Sequence, residues 1–237
     1  MKLFVGTSGF SYKEWKGRFY PEELPDAEML SFYATRFGAV EINNSFYRMP
    51  ARPVLTRWAE ETPADFTFVL KAPRRITHER RLGDVAEIVS YFFDTASVLG
   101  EKRGPVLFQL PPYFHKDLTR LADFLDVLPN GLKPTLEFRH VSWYDEQVSE
   151  ALRSHGAALC HRDSDDPKAP AASLRATADW GYLRLRRADY QDEDLLRWAD
   201  LIRAQPWTEA YVFFKHEEEG HGPELAQRFK RLLSSKQ

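Results

Sequence analysis

Glu41, Glu137 and His161 are the side chains of this chain whose type and position best suit acid–base chemistry, because each closes a short apolar run: AVEINNS, PTLEFRH and AALCHRD. Carboxylates and imidazoles exchange protons near neutral pH once their surroundings tune them. Other runs end in amides and cations, namely Asn43, Lys71, Gln109, Arg139, Arg184 and Lys215. A guanidinium grips a phosphate or carboxylate as a two-pronged fork, and an ammonium does so as a point charge. This set therefore reads as a substrate site for an anion. A carboxylate among arginines is held ionised and makes a poor base, so Glu137 has a second reading as the group that orients Arg139. Lys71 is read as an anion binder, with an imine-forming nucleophile as its alternative if it is desolvated. The segment GHGPELAQRF places Gly220 and Gly222 in a glycine-rich turn that opens a helix, where free N–H groups and the helix dipole favour an anion. An ordinary helix start explains that turn equally well.

Six of the seven histidines (His78, His115, His140, His161, His216 and His221) fall at or just after the ends of these runs. Glu41, Glu137, His161, Asp163, His78 and His216 are possible metal ligands by type. No H-x-x-x-H spacing supports a metal, so none is assigned. Nothing in the sequence names a cofactor.

Positioning so many polar groups together requires a repeating scaffold. Strand-like runs recur eight times (LFVGTSG, AVEINNS, FTFVLKA, PVLFQLP, PTLEFRH, AALCHRD, YLRLRR and AYVFFKH), and the segments between them carry helical spacing. Eight strand–helix units predict an α/β fold of the (β/α)₈ barrel type, whose chemistry gathers where the carboxyl ends of the strands converge. Alternation along a strand gives the facing. Glu137 and Arg139 alternate with Leu136 and Phe138, Arg184 and Arg186 with Leu183 and Leu185, and Glu41 and Asn43 with Val40 and Ile42. The polar members are expected to point into the barrel mouth, along with Lys71, Gln109, and the pair His161 and Asp163. Asp26 and Asp84 read as helix N-caps. The stretch from Asp163 to Trp180 contains DSDDPKAPAAS and no helical stripe, so the sixth helix is expected to be reduced to a loop. One barrel of about 250 residues would use the whole chain, which predicts one domain over residues 1–237.

Composition narrows the function classes. A net charge of −2 across 237 residues gives no global field for a polyanion, so any nucleic-acid affinity must come from a local patch. The single cysteine, Cys160, cannot form an intramolecular disulfide. The opening MKLFVGTSG is too short for a signal-peptide core, and no apolar stretch approaches the roughly 18 residues of a membrane span. A cytoplasmic protein without a membrane partner is expected; the oligomeric state is not legible.

Six ordered blocks resemble the YecE-like family, also called domain of unknown function 72. They are GTSGFSYKEWKGRFYP (Gly6–Pro21), VEINNSFYRMP (Val40–Pro50), FVLKAPRRITHERRL (Phe68–Leu82), GPVLFQLPPYF (Gly104–Phe114), LEFRHVSW (Leu136–Trp143) and VFFKHEEEGHGPELA (Val212–Ala226). The resemblance spans the chain and implies a (β/α)₈ barrel, in agreement with the alternation, but it implies no particular reaction. The chain departs from the family pattern around Asp165–Ser173 and in LRLRRADY after the seventh strand.

Two functional expectations follow. The first is an enzyme, of hydrolase or lyase/isomerase type, that acts on a phosphorylated or carboxylated small molecule at the barrel mouth. In it Glu41, Glu137 and His161 are catalytic, while Asn43, Lys71, Gln109, Arg139, Arg184 and Lys215 bind. The rival is a nucleic-acid-binding or nucleic-acid-processing protein that uses the same mouth with the basic loop PRRITHERR as its backbone contact. A solvated charge run is the plain alternative for that loop, and a non-enzymatic anion-sensing barrel is a third reading of the whole.

Overall fold

The structure, a computed structural model, describes residues 1–165, 174–215 and 220–234. Each apolar run forms a strand: β1 (Lys2–Thr7), β2 (Ala39–Ile42), β3 (Thr67–Lys71), β4 (Arg103–Gln109), β5 (Pro134–Glu137), β6 (Ala158–Asp163), β7 (Trp180–Leu185) and β8 (Glu209–Phe214). They lie in one parallel sheet ordered β1-β8-β7-β6-β5-β4-β3-β2. The connecting helices are α1 (Met29–Ala34), α2 (Arg52–Glu60), α3 (Ala86–Ala96), α4 (Leu118–Asp126), α5 (Glu146–Ser154), α6 (Asp192–Arg203) and α7 (His221–Ser234). This is a (β/α)₈ barrel. Among the described residues between β6 and β7 no helix forms, and part of the DSDDPKAPAAS stretch lies outside them. No helix of the described residues is long and apolar enough to cross a membrane.

The sheet closes through β1 and β2, where Ser8 bridges to Glu41 and the Gly9 N–H donates to the Glu41 carbonyl at 2.8 Å. Below that bridge a side chain takes the place of ladder bonds. The Tyr33 hydroxyl, carried in by α1, accepts from the Thr7 N–H at 2.8 Å and donates to the Ala39 carbonyl at 3.0 Å. Gly6 makes this approach possible, since a Cβ there would stand 2.0 Å from the Ala39 oxygen and 2.8 Å from the Tyr33 hydroxyl.

Alternation sorts the core into two regions. Val40, Ile42, Val106, Phe108, Leu136, Leu183 and Leu185 pack outward against the helices. Phe4, Ala39, Val69, Leu107, Ala158, Cys160, Trp180, Tyr182, Tyr211 and Phe213 fill the interior. Phe4 stacks on Tyr211 with centroids 4.6 Å apart, and Tyr182 lies 5.5 Å from Phe213. The lower barrel is thus an aromatic plug, and the polar residues next along the strands sit on top of it.

Helix starts differ from the expected caps in two places. Asp26 pairs with Lys13 and Lys16 at the head of a 3-10 turn (Asp26–Glu28), and α1 begins after it. Asp84 has a left-handed backbone (φ 50°), and α3 begins two residues later with Val85 in the N-cap position. Asp117 and Asp145 do cap, each side chain accepting from the backbone N–H three residues on, at Arg120 and Val148.

Candidate functional site

Arg184 stands at the centre of the interior polar layer, with no solvent exposure of its side chain. Its Nη1 donates to Glu137 Oε2 and its Nη2 to Glu41 Oε1, both at 2.6 Å, so one guanidinium spans two carboxylates from opposite sides of the barrel. Glu41 also accepts from the Ser8 hydroxyl (2.7 Å), Asn43 Nδ2 (3.2 Å) and the Tyr182 hydroxyl (2.6 Å). Glu137 also accepts from Gln109 Nε2 (3.3 Å) and Arg139 Nε (3.1 Å). Burial alone would push both carboxyls up, but the adjoining Arg184 and the nearby Arg186 outweigh it and hold both below the usual carboxylate range. Burial, then Glu41, pushes the Tyr182 hydroxyl well up, so it stays a donor to Glu41. Burial with Glu137 alongside likewise keeps the Cys160 thiol protonated.

Above this layer stand cations with fewer partners. Arg186 lies two residues past Arg184 on the same face; its Nε, like that of Arg184, is buried with no hydrogen-bond partner, and the rest of its guanidinium has none among the described residues. Burial, then repulsion from Arg184, pulls its guanidinium down to about 10. Lys71 ends β3 half-buried, with Nζ 4.0 Å above the Phe46 ring. Burial, then Arg184, lowers its ammonium to about 8. Phe46 belongs to a 3-10 turn (Asn44–Phe46) pinned to β3 by Ser45, whose hydroxyl donates to the Lys71 carbonyl at 2.7 Å. His78 meets the same ring edge-on at 4.9 Å; burial, then Lys71 and Arg139, holds it near 4, neutral at physiological pH. The loop bearing His78 makes one π-helical turn (Arg75–Glu79), then places Arg81 (φ 47°) and Leu82 (φ 71°) in left-handed conformations. Such backbone is costly for non-glycine residues and clusters where side chains must be aimed.

Most of the expected site residues converge. Glu41, Asn43, Gln109, Glu137, Arg139 and Arg184 form one hydrogen-bonded group, with Lys71 beside it. Lys215 follows β8 half-buried on the parity of Tyr211 and Phe213, its N–H donating to the Leu185 carbonyl at 3.1 Å. Gly220 (φ 75°) packs against Arg18 and Phe19 of the first loop, and Gly222 is buried in the first turn of α7. His216 lies outside the described residues. Two assignments change. Arg184 is enclosed by two glutamates and buttresses the layer from below, whereas Arg186 has no ion pair among the described residues. His161 points out of the barrel: its Nε2 accepts from the Arg175 N–H at 3.3 Å and its ring lies 6.2 Å from Trp207. Asp163 faces the same way and accepts from Trp198 Nε1 at 3.1 Å. The inward residues of β6 include Ala158 and Cys160, beneath Arg162. Because β6 is apolar on both faces, its alternation could not tell in from out. A separate cleft of about 320 Å³ opens beside Asn43, between the first loop and α2, lined by Phe10, Tyr12, Arg57 and Trp58 among others.

Fold and site together define a (β/α)₈ barrel whose mouth carries cations buttressed by two buried carboxylates. The chain belongs to the family described as Protein of unknown function DUF72, which matches residues 4–237. It is 28% identical to the UPF0759 protein YecE of Escherichia coli strain K12, over 94% of this chain and 89% of that one. It is 27% identical to the UPF0759 protein YunF of Bacillus subtilis strain 168, over 74% and 66% respectively. A solved DUF72 family protein from Thermotoga maritima superposes with a TM-score of 0.89 at 28% identity, covering 99% of this chain and all (100%) of that one.

Proposed function

We propose that the mouth binds the phosphate or carboxylate of a small molecule and that the protein is an enzyme acting on it. The observation that carries this reading is Arg186. A half-buried guanidinium that makes no side-chain hydrogen bond or ion pair among the described residues, beside a second arginine, is unfavourable unless a ligand supplies the missing acceptor. Arg139, Arg184, Arg186 and Lys71 face two carboxylates, so these six groups leave the mouth positive and complementary to an anion. Glu41 and Glu137 act here by holding Arg184 and Arg139 in place, since their acceptor sites are occupied by donors. Proton transfer falls instead to Lys71 and the neutral His78.

Thermal unfolding with inorganic phosphate, followed by phosphorylated and carboxylated metabolites, tests the reading. A ligand at about 100 times its Kd should add about 2.7 kcal/mol of stability. Absence of any anion-dependent stabilisation, or an equal response in Arg186→Ala, overturns it.

A second reading rests on the rim. Tyr47 (81% exposed) and Tyr113 (62%) project from the loops after β2 and β4, and exposed Arg74, Arg75, Arg80 and Arg81 lie on the loop after β3. Exposed aromatics beside cations suit the bases and backbone of a single strand. Oligonucleotide affinity that falls steeply with salt and is lost in Arg80→Ala/Arg81→Ala would favour this reading over the first.

A further inference from the structure

We propose that Lys71 is a nucleophile that forms an imine with its substrate, which narrows the substrate class to an aldehyde or ketone bearing a phosphate or carboxylate. The inference rests on the anion-binding reading of the mouth and adds a reacting carbonyl to it. Its basis is where Nζ sits. Among the described residues the Lys71 ammonium has no carboxylate partner and no hydrogen bond, only the face of Phe46 at 4.0 Å. Structural lysines in a barrel interior are ordinarily paired, because an unpaired buried ammonium is costly. Here the two carboxylates of the layer are both committed to Arg184, one at either end. The amine is thus desolvated, flanked by other cations and left without an acceptor, the combination that activates an amine for attack on a carbonyl.

The ammonium's fall to about 8 agrees with that placement. At pH 7.5 an ordinary lysine, with a value of about 10.4, holds on the order of a hundredfold less neutral amine. Arg186 and Arg139 take the anionic end of the substrate, and its carbonyl carbon meets Nζ. The nitrogen lone pair forms the C–N bond as the carbonyl π electrons move to oxygen, giving a carbinolamine. That oxygen then leaves as water with the two amine protons, and C=N remains. No oxidant, reductant or metal enters the balance. His78, neutral on the edge of the same Phe46 ring, is the adjacent group able to carry protons during the dehydration.

The test uses pyridoxal 5′-phosphate, an aldehyde with a phosphate, and 5′-deoxypyridoxal, the same free aldehyde with a methyl group in place of the phosphate arm. Each is incubated with the intact protein at pH 7.5 and the adduct is fixed with cyanoborohydride, which delivers hydride to the imine carbon. Peptide mass mapping then locates the label. The phosphorylated probe should label Lys71 at least about tenfold faster than the other lysines and faster than 5′-deoxypyridoxal does, with inorganic phosphate protecting. Lys71→Arg should lose the label at this position, and Arg186→Ala should slow labelling of Lys71 by the phosphorylated probe toward the rate of the aldehyde without phosphate. If labelling spreads evenly over surface lysines while phosphate still stabilises the fold, the imine proposal is overturned and the anion site stands. Equal labelling by the two aldehydes also overturns it, because the anion would then guide nothing. If neither selective label nor phosphate stabilisation is seen, both readings fall.

Discussion

Arg184 and Arg186 stand two residues apart on one face of the barrel interior, yet the first holds two carboxylates and the second, among the described residues, holds none. Depth along the strand separates them. Arg184 sits in the layer where Glu41 and Glu137 point, and Arg186 lies one step nearer the mouth, above those two carboxylates. The lower arginine therefore holds the carboxylate layer together, and the upper one is the contact proposed for a ligand.

Substitution should separate these roles. Arg184→Met strands two buried carboxylates and is expected to lower stability by about 3–5 kcal/mol in urea unfolding. Combining it with Glu41→Gln and Glu137→Gln removes the stranded charges, so the triple variant should unfold at higher urea than Arg184→Met alone. A triple variant no more stable than the single one would show that the carboxylates are not what Arg184 serves.

Arg186→Ala should behave in the opposite way. Its loss relieves repulsion with Arg184 and leaves no acceptor unpaired, so the unliganded melting temperature should hold or rise. Phosphate binding should weaken by about 1.5–3 kcal/mol, roughly ten- to a hundredfold. His161→Ala, on the outer face, should leave that binding unchanged. Thermal shifts across a phosphate titration read both variants, and a phosphate response lost only with His161 would return that residue to the site.

The sign of the acid dependence follows from Glu41 and Glu137, whose folded-state carboxyls lie below the usual range. Unfolded, each takes up a proton near about 4.3, whereas folded it does so only at lower pH. Their stabilisation is therefore present above that value and is lost as pH falls through the window beneath it. Urea midpoints measured from about pH 6 to pH 2 should fall steeply in the wild type, and less so once both glutamates are glutamines.

The barrel seam offers a test of the fold itself. Tyr33→Phe removes the hydroxyl between the Thr7 N–H and the Ala39 carbonyl, at an expected cost of about 1–3 kcal/mol. Gly6→Ala should cost more, because its Cβ meets a backbone oxygen, which cannot swing aside as a side chain can. Chemical unfolding of the two variants should preserve that order; reversal would mean that the β1–β2 gap is held by something other than the tyrosine.

Eight strand-like runs, and the inward pointing of Glu41, Glu137, Arg139, Arg184 and Arg186, were legible in the sequence. In those strands one alternating set is apolar and the other charged, and an apolar set can pack only against the helices. The same rule is silent for β6, where Ala158 and Cys160 are as apolar as Leu159, and only the structure turns His161 outward. No spacing rule could have paired Arg184 with Glu41, which is 143 positions away in the chain. Which cation is satisfied, and which is left to meet a ligand, depends on how far each strand reaches toward the mouth. That depth is set by strand register around the closed sheet. Alternation along a strand is local, with a period of two residues, and so is written in the sequence; register between strands is a non-local property that exists only once the barrel has closed.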